Sequence, residues 1–153
     1  MRILIFDDAF SLNGYILFEN EILLEMPDIS IKSAHNFYAF EKELKLGNFR
    51  AIILDIMGAD TKISSIENGE KILSDFLGIE MLQRIRSGLY PKQDKDVVII
   101  MRTARADEPD ICSLCIAEGA NYIFPPGEFD SQIIEILQAI SIKFHENHST
   151  NNA

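Results

Sequence analysis

The chain has 153 residues, 47% of them hydrophobic and 25% charged, which is the make-up of one soluble domain and excludes a disordered, fibrous or two-domain chain. Its 14 lysines and arginines face 24 acids, a formal charge of −10, which repels phosphate backbones and argues against a nucleic-acid-binding module. Two cysteines make no disulfide framework, no apolar run reaches the length of a membrane span, and Asp7-Asp8 end the first apolar run too early for a signal peptide, so the chain reads as cytoplasmic.

Short apolar runs alternate with longer amphipathic stretches, the pattern of a parallel sheet covered by helices on both faces. The run 2–6 is apolar after Arg2, as in a strand buried on both sides. A helix is predicted within 11–26, carrying Ile16, Leu17, Ile22 and Leu23 and stopping before Pro27. A weaker strand at 29–34 alternates Ile29, Ile31 and Ser33 like one nearer an edge. Asn36 is placed to cap a second helix, with Phe37, Phe40 and Leu44 on one face and Gly47 as its stop. Residues 51–54, Ala-Ile-Ile-Leu, form the third predicted strand.

From Gly58 to Gly78 the chain offers no strand-like run, and a structureless loop of that length is uncommon. The expectation is a lid or an inserted helix anchored by Leu73, Phe76 and Leu77, with Lys62, Glu67, Glu70, Lys71 and Asp75 solvated. A helix over about 79–87 follows, with Leu82 and Ile85 inward and Gly88 as cap, then a strand at 97–101. Asp110 is expected to cap a helix ending at Gly119, Tyr122-Ile123-Phe124 to form a strand stopped by Pro125-Pro126, and Asp130 to cap a last helix carrying Ile133, Ile134, Leu137 and Ile140. The domain is thus expected over 1–144, with an insertion at about 58–77 and a frayed polar tail at 145–153.

Ligands of open parallel sheets bind beyond the carboxyl ends of the strands. There the first predicted strand ends in Asp7-Asp8, the third in Asp55, and the fourth in Thr103-Ala104, while the fifth contains Tyr122. Three carboxylates converging on one edge raise one another's pKa unless a cation joins them. Carboxylate oxygens and water suit Mg²⁺, which favours phosphate as a further ligand. A carboxylate beside such an ion can attack phosphorus and form an acyl phosphate.

These residues, in the order Ile-Leu-Ile-Phe-Asp7-Asp8, Ile-Ile-Leu-Asp55-Ile-Met57, Ile-Ile-Met-Arg-Thr103-Ala104 and Gly119-Ala120-Asn121-Tyr122, resemble the receiver domain of two-component response regulators. The likeness runs from Arg2 to about Phe144, and Gly78-Ile-Glu-Met-Leu-Gln-Arg-Ile-Arg86 resembles that family's third helix. The resemblance implies a flavodoxin-like, doubly wound, five-stranded parallel sheet of order 2-1-3-4-5. It implies Asp55 as phosphoacceptor, Mg²⁺ held by Asp8, Asp55 and the Met57 carbonyl with Asp7 acting through water, and Thr103 and Tyr122 as hydroxyl and aromatic switch positions. It also implies a histidine kinase or phosphotransfer protein as donor and a downstream protein target. Such a chain catalyses only its own phosphorylation and dephosphorylation.

Two departures stand out. Where the family has a lysine followed by proline, this chain has Pro125-Pro126. Loss of a charge-assisted hydrogen bond of about 1.5–3 kcal/mol slows phosphotransfer by roughly ten- to a hundredfold, unless Arg102, Arg105, Lys62 or Lys71 supplies the charge. The insertion after Asp55 is the second, placed to shield an acyl phosphate or select a partner. The alternative function is a pseudo-receiver, a protein-binding module not switched by phosphate. An aspartate-nucleophile phosphatase would want an acid two residues after its nucleophile, but positions 9 and 10 are Ala and Phe, and a flavin-phosphate loop would not open on two acids. Read without the resemblance, Thr103 is a turn hydroxyl bonded to local backbone and Tyr122 a core aromatic. Cys112 and Cys115 read as small hydrophobes inside a helix, and His145 and His148 as solvated.

Overall fold

The computed structural model describes residues 1–7, 12–56, 63–67, 70–74 and 77–150. In chain order the elements are β1 (Arg2–Phe6), α1 (Leu12–Glu25), β2 (Ser30–Ala34), α2 (Phe37–Leu46), β3 (Ala51–Leu54), β4 (Ile63–Glu67), β5 (Glu70–Ser74), α3 (Leu77–Arg86), β6 (Val98–Arg102), α4 (Pro109–Ala117), β7 (Tyr122–Phe124) and α5 (Asp130–Thr150). The main sheet has the order β2-β1-β3-β6-β7 with every pairing parallel. With β4 and β5 set aside, this is the expected doubly wound 2-1-3-4-5 arrangement.

Alternation along the central strands sorts the core into two layers. Leu4, Phe6, Ile52, Leu54, Ile99 and Met101 point to one face, where Phe40 and Leu44 of α2, Leu82 and Ile85 of α3 and Ile111 and Cys115 of α4 cover them. Ile3, Ile5, Ala51, Ile53 and Ile100 point to the other, under Phe18 and Ile22 of α1 and Ile133 and Leu137 of α5. Helix α1 buries a narrower stripe than its composition suggests, and Ile16, Leu17 and Leu23 are exposed.

Asn36 caps α2 as expected, its side chain accepting from the Ala39 N–H at 2.8 Å, and Gly47 ends that helix. Three expectations are corrected. Helix α4 starts at Pro109 with Glu108 as N-cap and no side-chain cap bond, because the fixed φ of proline suits the first helical position and leaves Asp110 in the first turn. Helix α5 continues through His145 and His148 to Thr150 rather than fraying from 145.

The third correction concerns the insertion. Instead of an added helix it contains an antiparallel two-stranded hairpin, with Glu67 paired to Glu70 and Ile63 to Ser74. Leu73 lies in β5, and Phe76 falls outside the described residues. The sequence signal is Asn68-Gly69, the two-residue connection favoured in hairpins, set between β-branched Ile63 and Ile66 on one side and Ile72 on the other.

Arg86, at the end of α3, ties three segments together. Its guanidinium donates to the Gly119 carbonyl at 2.9 Å, the Val97 carbonyl at 2.8 Å and the Asn121 side-chain oxygen at 2.9 Å, and also to the Lys95 carbonyl. The same Asn121 oxygen accepts from the Ile99 N–H at 2.8 Å, so Arg86 fixes the start of β6 and the approach to β7. Hydrogen bonds to a charged group contribute about 1.5–3 kcal/mol, and Arg86→Ala is expected to lower unfolding stability by about 3 kcal/mol, read as a shifted midpoint in urea.

Candidate functional site

The carboxyl ends of β1, β3 and β6 bring the predicted residues to one edge. Register pairs Phe6 with Leu54 and Leu54 with Met101, so the next positions on the three strands are Asp7, Asp55 and Arg102. The backbone ladder continues past the strand ends, with the Asp7 N–H donating to Ala34 O at 3.1 Å and the Asp55 N–H to Phe6 O at 3.1 Å. Because Phe6, Leu54 and Met101 all face the α2–α3–α4 layer, alternation turns the following residue of each strand toward the α1–α5 face. Adjacent strands lie about 4.8 Å apart, so Asp7, Asp55 and Arg102 take neighbouring backbone positions along one edge.

Asp7 is 1% exposed, and His35 Nδ1 lies 3.2 Å from its carbonyl oxygen. Asp55 is half-buried. Its backbone is held from behind by α3, for a Cβ added at Gly78 would stand 2.1 Å from the Asp55 carbonyl oxygen. The first turn of α3 is therefore seated directly against the predicted acceptor. Asp8 and Met57 lie outside the described residues.

Thr103 is 1% exposed. Its N–H donates to Phe124 O at 2.9 Å, and its Oγ1 accepts from the Arg105 N–H at 3.2 Å, the local turn bond expected of such a hydroxyl. Tyr122 is 42% exposed rather than core, because β7 is an edge strand. Its ring stacks on Phe124 at 6.1–6.2 Å spacing in a series that continues to Phe129, just before α5.

The predicted sources of positive charge separate clearly. Arg102 is 6% exposed and grips Asp130 in a two-pronged ion pair of 2.7 and 2.8 Å, with its guanidinium 4.3 Å from the centre of the Phe18 ring. Arg105 makes a two-pronged pair with Glu108 at 2.7 and 2.6 Å. Lys62 lies outside the described residues, and Lys71 belongs to β5 of the hairpin. Asp130 is not a simple cap: it opens α5, accepts from the Gly127 N–H at 3.2 Å and neutralises Arg102. Sequence periodicity gave no sign of that pair; an arginine ending a buried strand was the available signal.

Cys112 and Cys115 are free thiols within α4. Cys115 is fully buried, and burial, aided by Cys112, pushes its thiol up to about 11. The Cys112 thiol donates to the Ala106 carbonyl at 3.1 Å.

No family model matches the chain, and comparison with curated proteins gives no match. Solved structures do match. A two-component response regulator from Clostridium difficile is 19% identical, with a TM-score of 0.67 over 94% of this chain and 98% of that one. The signal receiver domain of a DNA-binding response regulator from Colwellia psychrerythraea is 20% identical, with a TM-score of 0.65 over 90% and 98%. A response regulator from Thermotoga maritima in complex with Mg²⁺-BeF is 22% identical, with a TM-score of 0.60 over 91% and 97%. The chain thus has the CheY-like, flavodoxin-type fold of response regulator receiver domains over most of its length. Among the described residues, no helix is long and apolar enough to cross a membrane.

Proposed function

We propose that the chain is a two-component receiver that accepts a phosphoryl group on Asp55 from the phospho-histidine of a kinase or phosphotransfer protein. The observation that carries this reading is the placement of Asp7 and Asp55 at the carboxyl ends of the adjacent strands β1 and β3, where such sheets bind ligands. A carboxylate oxygen of Asp55 bonds to phosphorus as the phosphorus–nitrogen bond to the donor imidazole breaks, the electron pair staying on nitrogen. Asp7, Asp8 and Asp55, with the Met57 carbonyl, would hold Mg²⁺. Among the described residues no group of three or more such ligands stands together, but the hard oxygen donors of Asp7 and Asp55 suit a hard divalent cation. The ion would neutralise charge on the transferring phosphoryl group.

Thr103, once its hydroxyl turns from the Arg105 amide, is the donor for a phosphoryl oxygen, and Tyr122 reads out that turn on the β7 edge. The surface offered to a downstream protein is that of α4, β7 and α5. The acidic charge of the chain opposes a nucleic-acid partner, and a cytoplasmic setting agrees with its two free thiols. The pseudo-receiver is the second reading, favoured by Pro125 and Pro126, which put no cation after β7.

The test is intact mass after incubation with Mg²⁺ and acetyl phosphate. A single phosphoryl adduct is expected on the wild type and none on Asp55→Asn or when the metal is chelated. A wild type that stays unlabelled, with acetyl phosphate and with phospho-histidine donors alike, would decide for the pseudo-receiver.

A further inference from the structure

We propose that Arg102 is the phosphoryl-binding cation of this site, and that it reaches the phosphoryl group by giving up Asp130, so that phosphorylation is coupled to release of the first turn of α5. This rests on the reading of Asp55 as acceptor.

Three observations support the exchange. First, register places Arg102 beside Asp55: Leu54 pairs with Met101, and each of the two residues comes next along its chain. A planar guanidinium there has the fork geometry that pairs with two phosphoryl oxygens at once. The position after β7, by contrast, is filled by Pro125. Second, the present partner of Arg102 is replaceable. Asp130 is the first residue of α5 and also accepts from the Gly127 N–H, so its carboxylate keeps a backbone donor and the positive end of the helix when the guanidinium leaves. Third, there is room to move. The ion pair borders a groove of ≈ 360 Å³ that Leu17, Glu21, Pro126 and Gly127 also line. Among the described residues, the charged groups beside Arg102 include Asp130 of α5, in direct contact, and Glu21 of α1, which lines the same groove.

The consequence reaches the surface through packing. Phe129 immediately precedes Asp130 and stacks on Phe124, which stacks on Tyr122. Loss of the Arg102–Asp130 pair frees the end of α5 and with it the support of the Tyr122 ring.

The experiment measures the initial rate of phosphorylation of the full chain by acetyl phosphate with Mg²⁺, in which a carboxylate oxygen of Asp55 bonds to phosphorus and acetate departs with the electron pair of the broken P–O bond. Arg102→Gln is expected to slow it roughly ten- to a hundredfold, the effect of one lost charge-assisted hydrogen bond, and Arg102→Lys to restore part of the loss. Asp130→Asn, which loosens the competing grip, is expected to raise the rate several-fold. A merely structural ion pair would make both sides of the pair slow alike. In the wild type, Mg²⁺ with beryllofluoride is expected to speed hydrogen exchange of the α5 first-turn amides, and in Arg102→Gln to leave it unchanged. Labelling of Arg102→Gln at the wild-type rate, or slowing by Asp130→Asn, would overturn the proposal while leaving Asp55 as acceptor. A wild type that takes no phosphoryl group from any donor overturns both. Should Arg102→Gln fail to fold by circular dichroism, Arg102→Lys and Asp130→Asn still decide, since the proposal requires them to shift the rate in opposite directions.

Discussion

Gly78→Ala is expected to destabilise the protein by about 3 kcal/mol and to cut phosphorylation of Asp55 at least tenfold in the molecules that remain folded. The new methyl would stand 2.1 Å from the Asp55 carbonyl oxygen and 3.0 Å from its carbonyl carbon, and the obstacle is backbone, which no rotamer change removes. Overpacking of this kind costs about 1–3 kcal/mol, occasionally more. Relief requires α3 to lift or the end of β3 to bend, and either motion moves Asp55, the proposed acceptor, away from its place beside Asp7. The check is a urea melt beside the acetyl phosphate assay. Loss of stability with normal labelling of the folded fraction would show that α3 yields and Asp55 does not.

Gly47→Ala is the matching change away from the site, and a larger loss of stability is expected from it, about 4 kcal/mol. Gly47 has φ 71° and ψ −161°, a region open essentially to glycine alone, where another residue costs about 1–3 kcal/mol. A Cβ there would also stand 2.2 Å from the Lys92 carbonyl oxygen, adding overpacking of about 1–3 kcal/mol. That carbonyl accepts from the Asn48 N–H at 3.3 Å, and the neighbouring Gln93 side chain clamps Phe49 through two bonds of 3.0 Å, so the segment cannot shift freely. At about 2–4 °C per kcal/mol for a chain of this size, the melting temperature is expected to fall by about 10 °C. Labelling of folded protein at 20 °C should stay normal, because Gly47 lies at the opposite end of the sheet from Asp55.

The sheet was legible because its strands are buried on both faces, which turns each into a short continuous apolar run, and because Asn36 and Gly47 act through local backbone chemistry. The place of Asp7 and Asp55 at the carboxyl edge was legible for a related reason: each follows directly on a buried apolar run. What escaped was non-local or carried by weak pattern. The hairpin strands mix serine and charge with isoleucine, so no period emerges, and only Asn68-Gly69 marks the turn. The pairing of Arg102 with Asp130, and of Arg86 with carbonyls on two other segments, depends on contacts between distant parts of the chain that no spacing encodes. The exposure of Tyr122 followed from its edge strand, where an aromatic keeps one side in water.

The close seating of Gly78 on Asp55 also bears on how this chain tolerates change over time. Because the two ends of the inserted segment are pinned against each other, the segment between them is a closed excursion from the fold. Lengthening such an excursion costs free energy only logarithmically, about 0.6 kcal/mol per doubling. Changes in the length of that stretch are thus expected to cost little stability, while Asp55, the proposed acceptor, stays seated on a glycine that has no room for a side chain.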